Sequence, residues 1–252
     1  MESVLVAFSG GVDSTLLLKI ASEVLGEKAL AVTASSEIHP SGETKSAVKL
    51  AKSIGVRHEV IGTKEMLDEK FLLNGRDRCY FCKRAFFAML AGIAGKEGLN
   101  HLADGSSSDD MNDFRPGSGA KKEFGVRSPL AEAGLAKHEI RDLSRELGLP
   151  TWDKPSLACL ASRVPYGTRI TVEILKMIAD AESYIGGMGF REVRVRHHGN
   201  TARVEVGKSE IPKFLDEDIM DDMSAKLESL GFTYVTLDLK GYRTGSMNEV
   251  LG

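Results

Sequence analysis

The segment Ser9-Gly10-Gly11-Val12-Asp13-Ser14-Thr15 directly follows an apolar run, Val4-Leu5-Val6-Ala7-Phe8, and runs into Leu16-Leu17-Leu18-Lys19-Ile20-Ala21. A short apolar run without alternation reads as a strand of a parallel sheet, buried on both faces. The segment after the loop reads as a helix that continues to Val24-Leu25 and stops at Gly26. A glycine-rich loop between a strand end and a helix start is a ready anion site. The first helical N–H groups lack internal partners, and the macrodipole adds partial positive charge. Gly10 and Gly11 let the backbone approach a phosphate without a Cβ in the way, while Ser9, Ser14 and Thr15 add hydroxyl donors. Asp13 can order the loop or help hold a Mg²⁺ that bridges phosphates. The patterns G-x-x-x-x-G-K-[ST] and G-x-G-x-x-G are both absent. An ordinary glycine turn is the competing reading, and the order strand, loop, helix favours the anion site.

Further strands are expected at Ala29 to Ala34, Arg57 to Ile61 and Asn100 to Asp104, with helices at Glu43 to Ser53, Phe81 to Ala94 and from Lys137. Alternating strands and helices predict an α/β fold, a doubly wound, mostly parallel, Rossmann-like sheet. Ligands of such sheets sit beyond the carboxyl ends of the strands, where the 9–15 loop, Ala34 and Gly105 all fall. Residues 106–127 are polar and glycine-rich and read as an active-site loop or lid. After Tyr166-Gly167 the pattern changes to helix Val172 to Ile185, strands Glu192 to His198 and Thr201 to Val206, helix Met220 to Leu230 and strand Thr233 to Leu239. The expected domains are therefore 1–167 and a smaller α+β domain, 168–252.

The 252 residues, 42% of them hydrophobic, suffice for a packed core. The net charge of −3 provides no global basic field for nucleic acid. No apolar run is long enough to span a membrane and no signal-peptide pattern opens the chain, so a cytoplasmic protein is expected. An odd count of three cysteines in that compartment argues against a disulfide scaffold.

Cys79 and Cys82 form a C-x-x-C, and Cys159 lies in Leu157-Ala158-Cys159-Leu160-Ala161-Ser162-Arg163. Two thiolates at this spacing can bind one metal centre, and three can hold a 4Fe–4S cluster with one iron open. Zinc would want a fourth ligand, and a redox C-x-x-C is also conceivable. Against these stands an idle C-x-x-C with Cys159 as packing. Arg163, if near a thiol, would favour its thiolate and could also hold a phosphate.

Taken together, these residues resemble the LarE family of PP-loop sulfurtransferases. The likeness runs from Ser9–Thr15 through Cys79-Tyr80-Phe81-Cys82-Lys83, Asp113-Phe114-Arg115-Pro116-Gly117 and Arg127-Ser128-Pro129-Leu130. It continues through Trp152-Asp153-Lys154-Pro155-Ser156, Cys159 and Ser162-Arg163 to Tyr234–Leu239 and Gly241-Tyr242-Arg243-Thr244-Gly245-Ser246-Met247-Asn248. The resemblance implies a PP-loop ATP pyrophosphatase domain that splits ATP between the α and β phosphates. The implied substrate is pyridinium-3,5-biscarboxylic acid mononucleotide: adenylation of a carboxylate, then displacement of AMP by sulfur, on the route to a nickel-pincer cofactor. It further implies ATP, Mg²⁺ and a sulfide or other sulfur donor. The catalytic set is Asp13, Cys79, Cys82 and Cys159, the three cysteines serving as cluster ligands. In the other version of the family a single cysteine gives up its own sulfur, and Cys159 stands in that place.

Arg194, Arg196 and His198 alternate with Val193, Val195 and His197, which puts the first three on one strand face, with Arg203 and Glu205 one strand away. A cationic face suits a phosphate and carboxylates; a solvated edge is the plainer alternative. The resemblance adds Ser162, Arg163, Glu182 and Glu205 to Arg194 and Arg196 as substrate-binding residues. It also makes the second domain a site of substrate binding or homo-oligomer formation. Asp109-Asp110 could hold Mg²⁺ or belong to a solvated loop. A tRNA thiolase would need a basic surface or an added RNA-binding domain, and an ammonia-using ligase would leave the cysteines unexplained. A nucleotide sensor would bind ATP without releasing pyrophosphate.

Overall fold

A computed structural model describes residues 1–40, 42–111, 117–156, 158–243 and 245–251. The chain forms two compact units, residues 1–71 with 75–157, and residues 72–74 with 158–252. The first holds strands β1 (Val4–Ala7), β2 (Ala29–Ser35), β3 (Arg57–Gly62) and β4 (His101–Asp104) in the order β3-β2-β1-β4, all parallel. Its helices are α1 (Val12–Leu25), α2 (Glu43–Ile54), the short α3 (Glu69–Leu72), α4 (Arg78–Glu97), α5 (Gly117–Glu123), α6 (Pro129–Glu132) and α7 (Lys137–Glu146).

The inner strands β1 and β2 are largely apolar on both faces because both faces are covered, whereas β3, at the sheet edge, carries Arg57, His58 and Glu59 and is partly exposed. Val4, Val6, Ala29 and Ala31 pack with Leu16, Leu17, Ala47, Leu50 and Ile140 from α1, α2 and α7. Leu5, Leu30 and Val32 pack on the other side with Phe87, Leu90 and Ala94 of α4 and Ala120 of α5. The unit is thus the doubly wound parallel sheet expected from the sequence. The strand order reverses between β1 and β4, whose carboxyl ends carry the loops beginning at Phe8 and Gly105.

Two segments depart from the sequence reading. Helix α4 begins at Arg78, three residues before the expected start, because the Arg78 and Tyr80 amides bond to the carbonyls of Gly75 and Asp77. Both Cys79 and Cys82 therefore lie on its opening turns. The polar stretch 106–127 contains α5, formed despite two glycines, with Ala120 fully buried against the α4 side of the core. Arg127 then pairs with β4, its N–H on the Leu102 carbonyl and its carbonyl on the Asp104 N–H. Asp113-Phe114-Arg115-Pro116, Leu157 and Thr244 lie outside the described residues.

The second unit contains α8 (Val172–Gly187), β5 (Val193–His198), β6 (Thr201–Val206), α9 (Glu217–Ser229) and β7 (Tyr234–Leu237). Its sheet runs β5-β6-β7, antiparallel between β5 and β6 and parallel between β6 and β7. Ala181, Ile185, Val195, Val204, Leu227 and Phe232 form its core, and the Thr171 hydroxyl caps α8 by accepting the Ile174 N–H. Tyr166-Gly167, where the sequence suggests a boundary, lies inside this unit. Among the described residues no helix is long and apolar enough to cross a membrane.

Candidate active site

The 9–15 loop closes on itself. Thr15 is fully buried and donates its hydroxyl to the Gly11 carbonyl at 2.7 Å, while the Ser9 and Ser14 hydroxyls pair at 3.1 Å. Gly10 has φ +71, and a Cβ there would meet Ala47 Cβ at 3.2 Å. Gly11 caps α1 with no side-chain hydrogen bond, so among the described residues no side chain caps the helix start. Gly105, on the neighbouring β4 loop, approaches so closely that a Cβ would stand 2.7 Å from the Ser14 nitrogen. Ala34 lies near the carboxyl end of β2, opposite Ile61. The loop, Gly105 and Ala34 thus occupy the switch-point end of the sheet, where phosphate ligands sit.

Two features fit ATP and a divalent cation here. Asp13 Oδ1 is buried with no hydrogen-bond partner among the described residues, while Oδ2 pairs with Lys137 Nζ. Lys154 Nζ reaches the Gly10 carbonyl at 3.2 Å and Glu43 Oε2 at 2.8 Å. The partners are 124 and 144 residues apart, so no local pattern shows where either lysine reaches; Lys154 stands in the segment Trp152-Asp153-Lys154-Pro155-Ser156 that carries the family likeness, which assigned it no role. Asp109 and Asp110 both accept backbone N–H groups, from Lys137 at 2.6 Å and Ser107 at 2.9 Å, and so order the loop. Behind Gly105, Lys121 gathers Asp104, Ser106 and Ser128, with Nζ distances of 3.3, 2.9 and 3.0 Å.

The C-x-x-C occupies one face of α4, three residues apart and half-buried. Arg78 Nη2 donates to Cys79 Sγ at 3.6 Å, and Cys82 Sγ lies 3.9 Å from Glu65 Oε1. Glu65 is buried and its Oε2 has no hydrogen-bond partner among the described residues. Cys82 and Glu65 line a cavity of about 330 Å³ whose walls include Thr63, Phe71, Phe81 and Met89. His39 is near enough to feel the charge of Glu65, but burial dominates and pushes its pKa down.

Cys159 belongs to the second unit, at the start of a 3₁₀ turn, Leu160–Arg163. Arg163 is 1% exposed. Its Nε and Nη2 form a fork on Glu182, both at 2.9 Å, and Nη1 binds the carbonyls of Ala158 and Cys159 and the Ser162 hydroxyl. Glu182 also accepts the Val195 N–H at 2.9 Å. Arg196 reaches Glu205 at 2.7 Å, Ser246 Oγ at 2.9 Å and the Ser162 carbonyl at 3.3 Å. Arg203 joins Glu205 to Asp238. Arg194 lies over the Tyr242 ring, 5.0 Å from its centroid, and burial, then the neighbouring Arg163 charge, lowers its pKa. Five of the six residues named for substrate therefore join through Arg163–Glu182, Arg163–Ser162, Arg196–Ser162 and Arg196–Glu205 contacts, with Arg163, Arg196 and Glu205 buried, and Arg194 is near enough to feel the charges of Arg163 and Glu182. Among the described residues no three His, Cys, Asp or Glu side chains stand grouped as ligands for a metal ion.

Comparison with known proteins agrees with this geometry. Residues 1–76, which include the loop, match the NAD synthase family. Over its whole length the chain is 44% identical to an uncharacterized protein of Synechocystis sp., covering 94% of it. It is 41% identical, again over its whole length and 91% of the relative, to the pyridinium-3,5-bisthiocarboxylic acid mononucleotide synthase of Lactiplantibacillus plantarum. An uncharacterized protein of Methanocaldococcus jannaschii matches 96% of the chain at 29% identity, over 92% of its own length. With a glycine-rich loop between strand and helix at the switch point and full-length relatives at these identities, the chain belongs to the LarE family of PP-loop proteins.

Proposed function

We propose that this chain is an ATP-dependent sulfurtransferase acting in the cytoplasm on pyridinium-3,5-biscarboxylic acid mononucleotide. The observation that carries the reading is the loop at the β1/β4 crossover, with its uncapped helix start and the orphaned carboxylate oxygen of Asp13. The name of the Lactiplantibacillus plantarum relative supports the choice of substrate.

A carboxylate at neutral pH resists nucleophiles. Its oxygen attacks the ATP α-phosphorus, the α–β bridging bond breaks, and pyrophosphate leaves on the loop amides of Ser9–Thr15. Asp13 helps hold the Mg²⁺ that offsets the phosphate charge. A sulfur nucleophile then attacks the acyl carbon of the adenylate and AMP departs, leaving a thiocarboxylate. In the second unit, the guanidinium groups of Arg163, Arg194 and Arg196, with Ser162, orient the anionic substrate. Glu182 holds Arg163 in place and Glu205 holds Arg196.

For the sulfur source, Cys79 and Cys82 would be two ligands of a 4Fe–4S cluster and Cys159 the third. Their i, i+3 spacing on one half-buried helical face fits two ligands of one centre. When bound, the cluster supplies an open iron site for sulfide. The second reading has Cys159 give its own sulfur. Its thiolate displaces AMP, and the Cβ–Sγ bond then breaks by elimination, leaving dehydroalanine. The anchoring of the Cys159 carbonyl by Arg163 favours it, because that contact fixes the cysteine without needing the other two.

Anaerobic purification with iron and acid-labile sulfide analysis tests this. Iron and sulfide that disappear in Cys79→Ser support the cluster. Iron-free protein that thiolates substrate once, with Cys159 lighter by the mass of H₂S, establishes the sacrificial route. Pyrophosphate release that requires tRNA and ignores the pyridinium nucleotide overturns the substrate assignment.

A further inference from the structure

The loop needs cations that it does not itself carry. Ser9–Thr15 contains no Lys or Arg, and the first basic residue of α1, Lys19, is paired with Glu23 at 2.8 Å. A helix dipole contributes only about half a charge at its N-terminus. We propose that Lys137 and Lys154 are the phosphate-holding cations of this site, and that Arg141 is a positioning residue that sets Lys154. The inference rests on the assignment of Ser9–Thr15 as the ATP loop.

Both lysines come from one brace. Lys137 is the first residue of α7, whose start is fixed by Asp109 accepting the Lys137 N–H at 2.6 Å. Its ammonium sits on Asp13 Oδ2. One turn on, the Arg141 fork donates Nη1 to the Trp152 carbonyl at 2.7 Å and Nη2 to the Lys154 carbonyl at 2.8 Å. That grip fixes the backbone from which Lys154 extends to the Gly10 carbonyl and Glu43. An ammonium has three N–H donors, so these contacts occupy two and leave one for a phosphate oxygen.

The two lysines flank the loop, one at the carboxylate of Asp13 and one at the carbonyl of Gly10. Their side chains remain partly accessible, 35% and 23%, as a ligand-contacting cation requires. Ion pairs this exposed add little to stability, so a large effect on nucleotide affinity would not follow from a purely structural role. Asp13 has one oxygen on an ammonium and a second, buried oxygen without a partner. The carboxylate can thus serve Lys137 and a divalent cation together.

The test is calorimetric titration of the full chain with MgATP and, separately, with adenosine, together with a thermal midpoint for each variant. Lys137→Met and Lys154→Met are expected to weaken MgATP binding by about 10-fold or more, the size of a charged hydrogen bond, and to leave adenosine binding unchanged. Lys154→Arg is expected to recover most of the loss. Arg141→Met should weaken MgATP alone, and Arg141→Lys, which cannot fork onto two carbonyls, should not restore it. Variants that bind MgATP like the wild type, or lose ATP and adenosine equally, overturn the proposal. Should a Met variant fail to fold, Lys154→Gln and Lys137→Gln carry the same test. A wild-type chain that binds MgATP but never thiolates overturns the sulfurtransferase reading and leaves the lysine assignment standing. One that binds no MgATP overturns both.

Discussion

Asn74 is tied to Gly167 through its carbonyl, which accepts the Gly167 N–H at 3.0 Å, while its side-chain amide lies 3.2, 2.8 and 3.0 Å from the carbonyls of Val164, Pro165 and Thr168. The residue is fully buried and, at φ +54, is the sole non-glycine among the described residues in the left-handed region. Asn tolerates that conformation better than most residues. Asn74→Ala removes the donors, strands buried carbonyls and adds backbone strain, so we expect a loss of about 3 kcal/mol. Asn74→Gly relieves the strain and should cost about 2 kcal/mol. Urea unfolding of the two variants measures the difference, and an Asn74→Ala chain as stable as wild type would refute the account.

Arg163 and Glu182 form a two-point ion pair, with the arginine side chain 2% and the carboxylate 13% accessible. Removing one partner strands a buried charge, and the expected cost is about 3 kcal/mol or more. Arg163→Met should therefore be recovered in large part by Arg163→Met combined with Glu182→Leu, because two apolar groups leave no charge unpaired. A double variant no more stable than the single one would show that the contacts of Arg163 with the Ala158 and Cys159 carbonyls dominate.

Gly105 is the point at which the β4 loop touches the first turn of α1. Alanine at this position would bring a methyl within 2.7 Å of the Ser14 backbone nitrogen and 2.9 Å of its Cα. Neither atom belongs to a flexible side chain, so one of the two loops has to move. Gly105→Ala is expected to lower ATP-dependent pyrophosphate release at least 10-fold, since misplacement of about 1 Å has effects of that order. Circular dichroism should show the fold retained. Unchanged pyrophosphate release would mean that the loop after β4 is not part of the nucleotide site.

Local sequence carried the framework well. The run Val4 to Phe8 marked a strand buried on two sides, and its odd and even residues do pack into separate cores. Alternation in Val193 to His198 likewise separated Val193 and Val195, in the core, from Arg194 and Arg196. It could not reveal that Arg196 is sealed by Ser246, fifty residues on. The reach of Lys137, Arg141 and Lys154 was illegible for the same reason, although Lys154 stands in the Trp152-Asp153-Lys154-Pro155-Ser156 segment of the family likeness. Their positions depend on how α7 lies against α1, and no periodicity along the chain encodes which lysine reaches which loop. Helix α5 was hidden by its glycines, whose low helical propensity is overridden when Ala120 packs into the core.

His197 lies on β5 with its ring 5.8 Å from that of Phe232, and its Nδ1 is buried with no hydrogen-bond partner among the described residues. Burial lowers its pKa from the ordinary 6.5, partly countered by a backbone hydrogen bond. The folded chain therefore binds fewer protons at this site than the unfolded chain does at mildly acidic pH. Its contribution to stability is whole above about pH 6.5 and is lost as the pH falls from there through the lowered native value. His39, His58 and His198 are lowered by burial as well, so the acid sensitivity is shared. We expect His197→Leu, which keeps the apolar contact and removes the titrating ring, to flatten part of the stability loss below about pH 6.5. At pH 8, where His197 is neutral in both states, the same change should be neutral or stabilising by about 1 kcal/mol, because an unpartnered buried nitrogen is gone. Urea midpoints across that pH range measure the slope, and a slope identical to that of the wild type would assign the acid response to the other histidines.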